Sequence, residues 1–372
     1  MNNKIKIIAA TLAVGMTATL AGCGGCSGCG RKSSSNTLTR SNWFTGTSYN
    51  GIQPSFVEGH ENFSKEQITY DVTYDGTNAN NGYLSLDYSN GTFTTEFYAT
   101  EYDWTRAGTP EGYADEKVKT EIVYCYKTEL TISVKFTMKT GDKASAEFDD
   151  HIVTESYFRA AGKSLQPVYS KQVIKSTSPA NYQPKTLQDA YKQIDATYEN
   201  FYDYSLTRVT SKATENGQTE SKEFEKLNKL DHTLFDNSSL YIVARSMKLS
   251  ESLSETVNLF SAAAGGTDSY LIAGTDEALT AEERAGYTAK LTEKGLYKAG
   301  ANDEGVKTAA VTVSYAGGNL HGTSQTIWYA AITDNDNNVS RATMLKLSVP
   351  ISFSLGTLNY SLKEVNSTLW NG

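Results

Sequence analysis

Several short segments carry residues whose types and spacing could do chemistry. Cys26 and Cys29 form a C-x-x-C, the spacing of a redox pair or of half a zinc site. Zinc needs about four ligands, and neither a second C-x-x-C nor an H-x₃-H accompanies it. A redox thiol needs a helix N-terminus to stabilise its thiolate, and this stretch is rich in Gly and Ser instead. Gly162-Lys163-Ser164 ends like a phosphate-binding loop, but Tyr157 stands where G-x-x-x-x-G-K-S needs its first glycine, and no helical pattern follows. His60-Glu61 opens an H-E-x-x-H that Ser64 fails to close, and His60, His151, His232 and His321 are far apart. Asp334, Asp336 and Asn338 copy the start of a calcium loop, yet Val339 replaces its glycine and Leu345 its closing glutamate. Two strand-like runs flank that segment, which reads as a hairpin turn. No G-x-S-x-G or S-x-x-K places a serine nucleophile, and the carboxylates are too scattered to select an acid/base pair. Catalytic residues, metal ligands and cofactors are therefore expected to be none, and the expectation is a protein that is not an enzyme.

Aromatic side chains are the remaining chemical signal. There are 24 Tyr against 13 Phe. Tyr70, Tyr74, Tyr124, Tyr126, Tyr157 and Tyr169 fall in strand-like runs, where they can pack along wide sheets or form a binding surface for sugars or amphiphiles. Tyr241 and Arg245 are one helical turn apart and are the candidate ligand contacts. Arg245 reads first as a surface cation on the Tyr241 ring, or as the holder of a ligand anion if its helix lines the sheet.

The first twenty-odd residues say where the protein is expected to reside. Lys4 and Lys6 precede an uncharged run from Ile7 to Leu20, too short for a ~30 Å hydrocarbon core at ~1.5 Å per residue. This is the h-region of a secretory signal. Leu20-Ala21-Gly22-Cys23 resembles the lipobox of bacterial lipoprotein precursors. The resemblance implies cleavage between Gly22 and Cys23 and a diacylglyceryl thioether on Cys23, which becomes the mature N-terminus. Two acyl chains give stable attachment where one does not. Cys26 and Cys29 lack an aliphatic residue three positions earlier, and extra acylation, a local disulfide or no role remain open for them. Gly24, rather than Asp, follows Cys23, which implies no retention at the inner membrane if the bacterium has two.

Residues 24–42 are Gly, Ser, Thr and Asn with Arg31, Lys32 and Arg40, and hold too little apolar surface to fold. They form a tether with a reach of roughly 25 Å. Residues 1–42 contain five of the 34 basic groups and none of the 42 acidic ones, leaving 29 against 42 in the body. An acidic body disfavours nucleic acid as a partner. The organisation expected is a signal peptide (1–22), a lipidated tether (23–42) and an extracytoplasmic body (43–372), with an internal boundary near 176–185, where Pro179 and Pro184 fall.

Period-two alternation dominates the body. Ile68, Tyr70, Val72 and Tyr74 alternate with polar residues, as do Leu130, Ile132, Val134, Phe136 and Met138. Leu84 to Tyr88 reads as a strand, with Asn90-Gly91 as a hairpin turn into Thr92 to Tyr102. Further strands are expected over Ala144 to Arg159 and Val168 to Ile174. A C-terminal meander is expected over Val306 to Tyr315, Thr326 to Thr333, Val339 to Val349 and Leu358 to Val365. Thr186 can cap a helix carrying Leu187, Ala190, Tyr191, Ile194 and Tyr198. Asp236 or Asn237 can cap a short helix with Leu240, Val243, Ala244 and Met247 on one side. Thr280-Ala281-Glu282-Glu283 is a capping box opening one or two turns. Residues 261–305 read as long loops, and Cys125 as a small buried strand residue.

The fold class expected is mainly β: a long-stranded, curved antiparallel sheet, half-barrel-like, with two or three short helices. It resembles the half-barrel of Lol-type lipoprotein carriers. The Phe235-Asp236-Asn237-x-x-Leu240-x-x-x-x-Arg245 segment also resembles uncharacterised lipoproteins of Gram-positive anaerobes. The function expected is a membrane-anchored, extracytoplasmic binding or carrier module for an amphiphilic or glycan ligand, with the membrane as partner through Cys23. An envelope assembly role and a hydrolase built from distant residues are the alternatives.

Overall fold

The computed structural model describes residues 65–141, 143–161, 164–225, 234–245, 253–261, 266–298, 304–315, 324–330, 333–334, 339–340 and 343–367. The lipobox with Gly22 and Cys23, the tether, Cys26, Cys29, His60, His232, His321, Met247, Asp336 and Asn338 lie outside them.

Among the described residues one sheet of fifteen strands makes up most of the fold. Its first half runs β1 (Lys65–Asp75), β2 (Leu84–Asp103), β3 (Thr120–Met138), β4 (Ser145–Ala161), β5 (Ser164–Pro179), β6 (Tyr191–Tyr202), β7 (Arg208–Glu215) and β8 (Gln218–Glu225), each paired antiparallel with the next. The second half is β9 (Leu234–Asp236), β10 (Ser254–Ser261), β11 (Gly266–Thr275), β12 (Thr308–Tyr315), β13 (Gln325–Ala330), β16 (Thr343–Pro350) and β17 (Thr357–Ser367). β17 pairs antiparallel with β1 and joins the halves. The sheet therefore runs from β8 through β1 and β17 to β9, and among the described residues only the short β9–β10 pair in it is parallel. β14 (Thr333–Asp334) and β15 (Val339–Ser340) pair separately, as expected of the hairpin across the false calcium loop.

The alternation that marks the strands also builds the core. Ile68, Tyr70 and Val72 on β1, Leu130, Ile132, Val134 and Phe136 on β3, and Tyr360 and Leu362 on β17 all belong to one buried cluster. Side chains alternate across a strand, so a single curved sheet can bury one face only by wrapping it around a shared interior. It does so until its last edge meets its own inner face. Asp236, at the end of β9, accepts hydrogen bonds from Ser170 on β5 and Tyr202 on β6. The result is a nearly closed, barrel-like sheet.

Four expectations need correction. Asn90-Gly91 is not a hairpin turn: β2 continues through it with a bulge between Ser89 and Thr92. Asn90 has φ 54°, and a Cβ at Gly91 would lie 2.5 Å from the Val72 carbonyl oxygen and 2.7 Å from the Val72 Cβ. The glycine is there for the close approach of β1. Gly91→Ala is expected to destabilise the fold by about 1–3 kcal/mol, the usual cost of overpacking, read by denaturant unfolding. Thr186 does form a capping box, but the helix it opens, α1 (Leu187–Ala190), lasts four residues before β6 begins. Ile194 and Tyr198 fit a helical stripe and an alternating strand equally well, and pairing with β5 decides between them. That pairing continues to Pro179 opposite Tyr191. Residues 261–305, expected to be loops, hold β11 and a helix, α3 (Ala281–Glu293), whose capping box opens thirteen residues rather than one or two turns.

Candidate functional site

The interior is occupied by the chain's own segment. Asp236 caps a single 3-10 turn (Asn237–Ser239) that leads into α2 (Leu240–Arg245). All ten residues from Asp236 to Arg245 are buried. The helix is buried on every side, not on one side as its pattern implied.

What holds this segment is a polar belt across an otherwise apolar inner face. Strand register aligns Glu66, Phe97, Tyr126, Ser156, Ser170, Asn200 and Ser211 in one row from β1 to β7. The adjacent row is Ile68, Thr95, Thr128, Thr154, Gln172 and Tyr198. The next row, Tyr70, Phe93, Leu130, Ile152, Ile174 and Ala196, is apolar apart from a tyrosine hydroxyl. The segment follows the first row back towards β1. One Asp236 oxygen accepts from Ser170 at 2.6 Å, Asn200 at 3.0 Å and Tyr202 at 2.6 Å, and the other from the Ser238 backbone at 2.9 Å. Asn237 accepts from Gln172 at 3.3 Å, and Ser239 meets Ser156. Arg245 then reaches Glu66 on β1. A buried polar group is tolerated when it is paired, and the belt supplies the pairs.

Arg245 is not a surface cation on Tyr241. It is 6% exposed, and its two terminal nitrogens donate to the two Glu66 oxygens, one of them at 2.9 Å. Burial opposes the charge on Arg245, and the Glu66 carboxylate more than offsets it, raising the guanidinium above its ordinary pKa. Tyr241 instead donates to Gln325 on β13 at 3.1 Å, and its backbone carbonyl accepts from Tyr329. The helix does line the sheet, but its cation is already neutralised from within. Beside it, Tyr70, Thr95, Tyr126, Tyr329 and Met344 help to enclose a cavity of about 10 Å³. That is room for about one water molecule.

The tyrosines mainly pack. Tyr70 is fully buried and donates to the Met344 carbonyl at 3.0 Å; Tyr74 donates to that of Leu355 at 2.7 Å. On the opposite face of the sheet, Tyr102, Trp104, Tyr113, Tyr169 and Phe201 form a second cluster under the β2–β3 connection. Arg106 lies 4.0 Å over Tyr169 and Arg159 4.4 Å over Tyr204. Cys125 is buried and free, and burial pushes its thiol up to about 12. His151 pairs with Glu129 at an exposed position. Among the described residues no three His, Cys, Asp or Glu side chains gather as a metal site would need, and no helix is long and apolar enough to cross a membrane.

Asp150 gives a prediction in pH. Its carboxylate is buried, accepting from the Thr177 backbone at 2.8 Å, and burial raises its pKa to about 7. A carboxyl whose folded pKa exceeds its unfolded one binds its proton more tightly in the folded state. Its contribution to stability is present below about pH 4 and is lost as pH rises through about 7. Asp150→Asn is therefore expected to flatten the fall in unfolding free energy between these limits, by a few kcal/mol at most. Urea titrations at both ends of the window read the difference.

A second site lies outside the barrel. Tyr287 and Leu291 are the buried residues of α3, which packs on the outer side of β17. Tyr287 is hydrogen-bonded to Ser361 at 2.8 Å, and Lys290 to the Leu362 carbonyl. Ser361 alternates with the core residues Tyr360 and Leu362, which fixes the face. Between helix and strands opens a cleft of about 370 Å³ lined by Thr73, Glu283, Gly286, Tyr287, Lys290, Lys346, Asn359 and Ser361. Thr73 pairs with Asn359, and Lys346 with Ser361, so the strand side of the cleft is one contiguous patch. Lys346 meets Glu283 at 2.7 Å and lies 4.9 Å over the Trp328 ring. Sequence reading missed both the belt and the cleft. The belt had a faint signal in β5, where the polar Ser170 and Gln172 share a face with the core residue Ile174. The cleft joins residues nearly 290 positions apart, and no local pattern marks it.

No family model and no curated protein matches the chain. Among solved structures, the chain is similar to a beta-barrel-like protein of domain of unknown function DUF1849 from Brucella abortus. The identity is 10% and the TM-score 0.43, and the alignment covers 82% of this chain and 98% of that one.

Proposed function

We propose that the protein is a lipid-anchored, extracytoplasmic, non-enzymatic binding module that takes a hydroxyl-rich ligand, a glycan, on the outside of its barrel. The observation that carries this reading is the occupied interior. A carrier of an amphiphile needs an apolar cavity for an acyl chain, and cavities of hundreds of Å³ are usual for such sites. Here the inner face grips Asp236–Arg245, and beside Arg245 the interior leaves about 10 Å³. The outer cleft is of the right size class, and its hydroxyl, amide, ammonium and carboxylate lining suits a polyol better than a hydrocarbon. The lipobox supports the anchor, and the acidic body set on a basic tether supports a surface location.

The test uses the unlipidated Cys23→Ser chain, purified without its anchor, against insoluble envelope polysaccharide and against a fluorescent fatty acid. Retention on the polysaccharide without saturable fatty-acid fluorescence is the expected result. Saturable one-to-one uptake of the fatty acid would overturn the glycan reading in favour of an amphiphile carrier.

A further inference from the structure

We propose that the cleft between α3 and the outer faces of β1, β16 and β17 is the ligand site, and that it takes an acidic saccharide, a hydroxyl-rich chain bearing a carboxylate or a phosphate. This rests on the binding reading above and adds the site and the charge of the ligand.

The lining argues for both parts. Thr73, Ser361 and Tyr287 bring hydroxyls, Asn359 an amide, and Glu283 an acceptor. Tyr287 and Ser361 bond each other, Thr73 donates to the Asn359 carbonyl and the Asn359 side chain accepts from Ser348, which leaves the Asn359 amide donors and hydroxyl lone pairs for a ring of hydroxyls. The Tyr287 ring is itself buried, so recognition falls to hydrogen bonds and charge rather than to stacking. Lys290 and Lys346 give the cleft two ammonium groups against one carboxylate. Each ammonium has three donors. Lys290 spends one on the Leu362 carbonyl and Lys346 one on Glu283, which leaves donors on both for a ligand. Hydrogen bonds from Lys346 and the Thr280 backbone keep Glu283 ionised by lowering its pKa against the effect of burial. The cleft is thus net positive on a chain with a formal charge of −8, a local attraction for an anion on a surface that otherwise repels one.

Gly286 supplies the test. It lies in α3 at the cleft wall, and a Cβ there would meet nothing within 4 Å. Gly286→Trp would fill the cleft while removing a helix-weakening glycine. The mature lipidated chain, in detergent, is titrated calorimetrically with an oligogalacturonate, a glycerol-phosphate oligomer and a neutral oligoglucan. The expected result is that at least one acidic probe binds roughly tenfold or more tightly than the neutral one, with the two acidic arms telling carboxylate from phosphate. Binding is expected to fall by roughly tenfold or more in Gly286→Trp, and to weaken in Lys290→Met and with added salt. Circular dichroism confirms that both variants fold. Acidic-probe binding untouched by Gly286→Trp would overturn the site while leaving the binding reading intact. Equal affinity for the neutral probe would overturn the assigned charge. Failure of every saccharide to bind would overturn the inference and the glycan reading together.

Discussion

Cys23→Ala is expected to move the protein from the membrane fraction to the soluble fraction and to abolish its metabolic labelling with palmitate. The effect is large because, under the proposed anchoring, the diacylglyceryl group on Cys23 supplies the attachment. Each buried methylene of an acyl chain contributes about 0.8 kcal/mol, so two chains anchor firmly and a single one only marginally. Arg31, Lys32 and Arg40 can add about 1 kcal/mol each near an anionic surface, and only within a Debye length. Without lipid these three charges remain, opposed by a body with 42 acidic groups. The same substitution changes none of the described residues, which begin at Lys65. Fractionation of cells expressing both forms, with labelling, reads the outcome. Persistent membrane attachment of the variant would move the anchor to another residue.

Arg245→Met is expected to destabilise the fold by about 3–5 kcal/mol, because it leaves the Glu66 carboxylate buried and unpaired. Glu66 is 2% exposed and Arg245 6%, so neither charge can turn to water. Because the pair joins the end of the internal segment to β1, its loss also frees one end of the structure that fills the barrel. The double variant Arg245→Met/Glu66→Met is expected to regain most of the loss, since two apolar side chains of similar volume need no partner. Denaturant unfolding of the single and double variants gives the comparison. A single variant costing under about 1 kcal/mol would match an exposed pair rather than a buried one.

How far the sequence could be read depends on how local the information is. Strand identity is local, and Leu130 to Met138 announces a one-sided strand by itself. Where two periods coincide, local reading fails. Leu187, Ala190, Tyr191, Ile194 and Tyr198 satisfy a helix, and the pairing of Tyr191–Tyr202 with β5 is visible only in the fold. Asn90-Gly91 has turn chemistry, but its role is set by Val72 on a neighbouring strand. The site was less legible. Tyr241 and Arg245 stood out as a pair of useful residues, and both do occupy an interior site. Their partners, Gln325 and Glu66, lie 84 and 179 positions away. Arg245 read as a surface cation because nothing in the sequence marks Glu66, which precedes the alternating run from Ile68, as its partner. Its burial becomes evident once the sheet curves around the segment that ends at Arg245.

The most direct test of a lipid-anchored, glycan-binding module is native mass spectrometry of the chain extracted from its own membrane in a mild detergent. The expected mass is that of the polypeptide beginning at Cys23 plus a diacylglyceryl group. A non-covalent adduct of saccharide mass should depart on collisional activation. An uncleaved, unlipidated chain, or a mature chain carrying a fatty acid or phospholipid in place of the saccharide, would contradict the account.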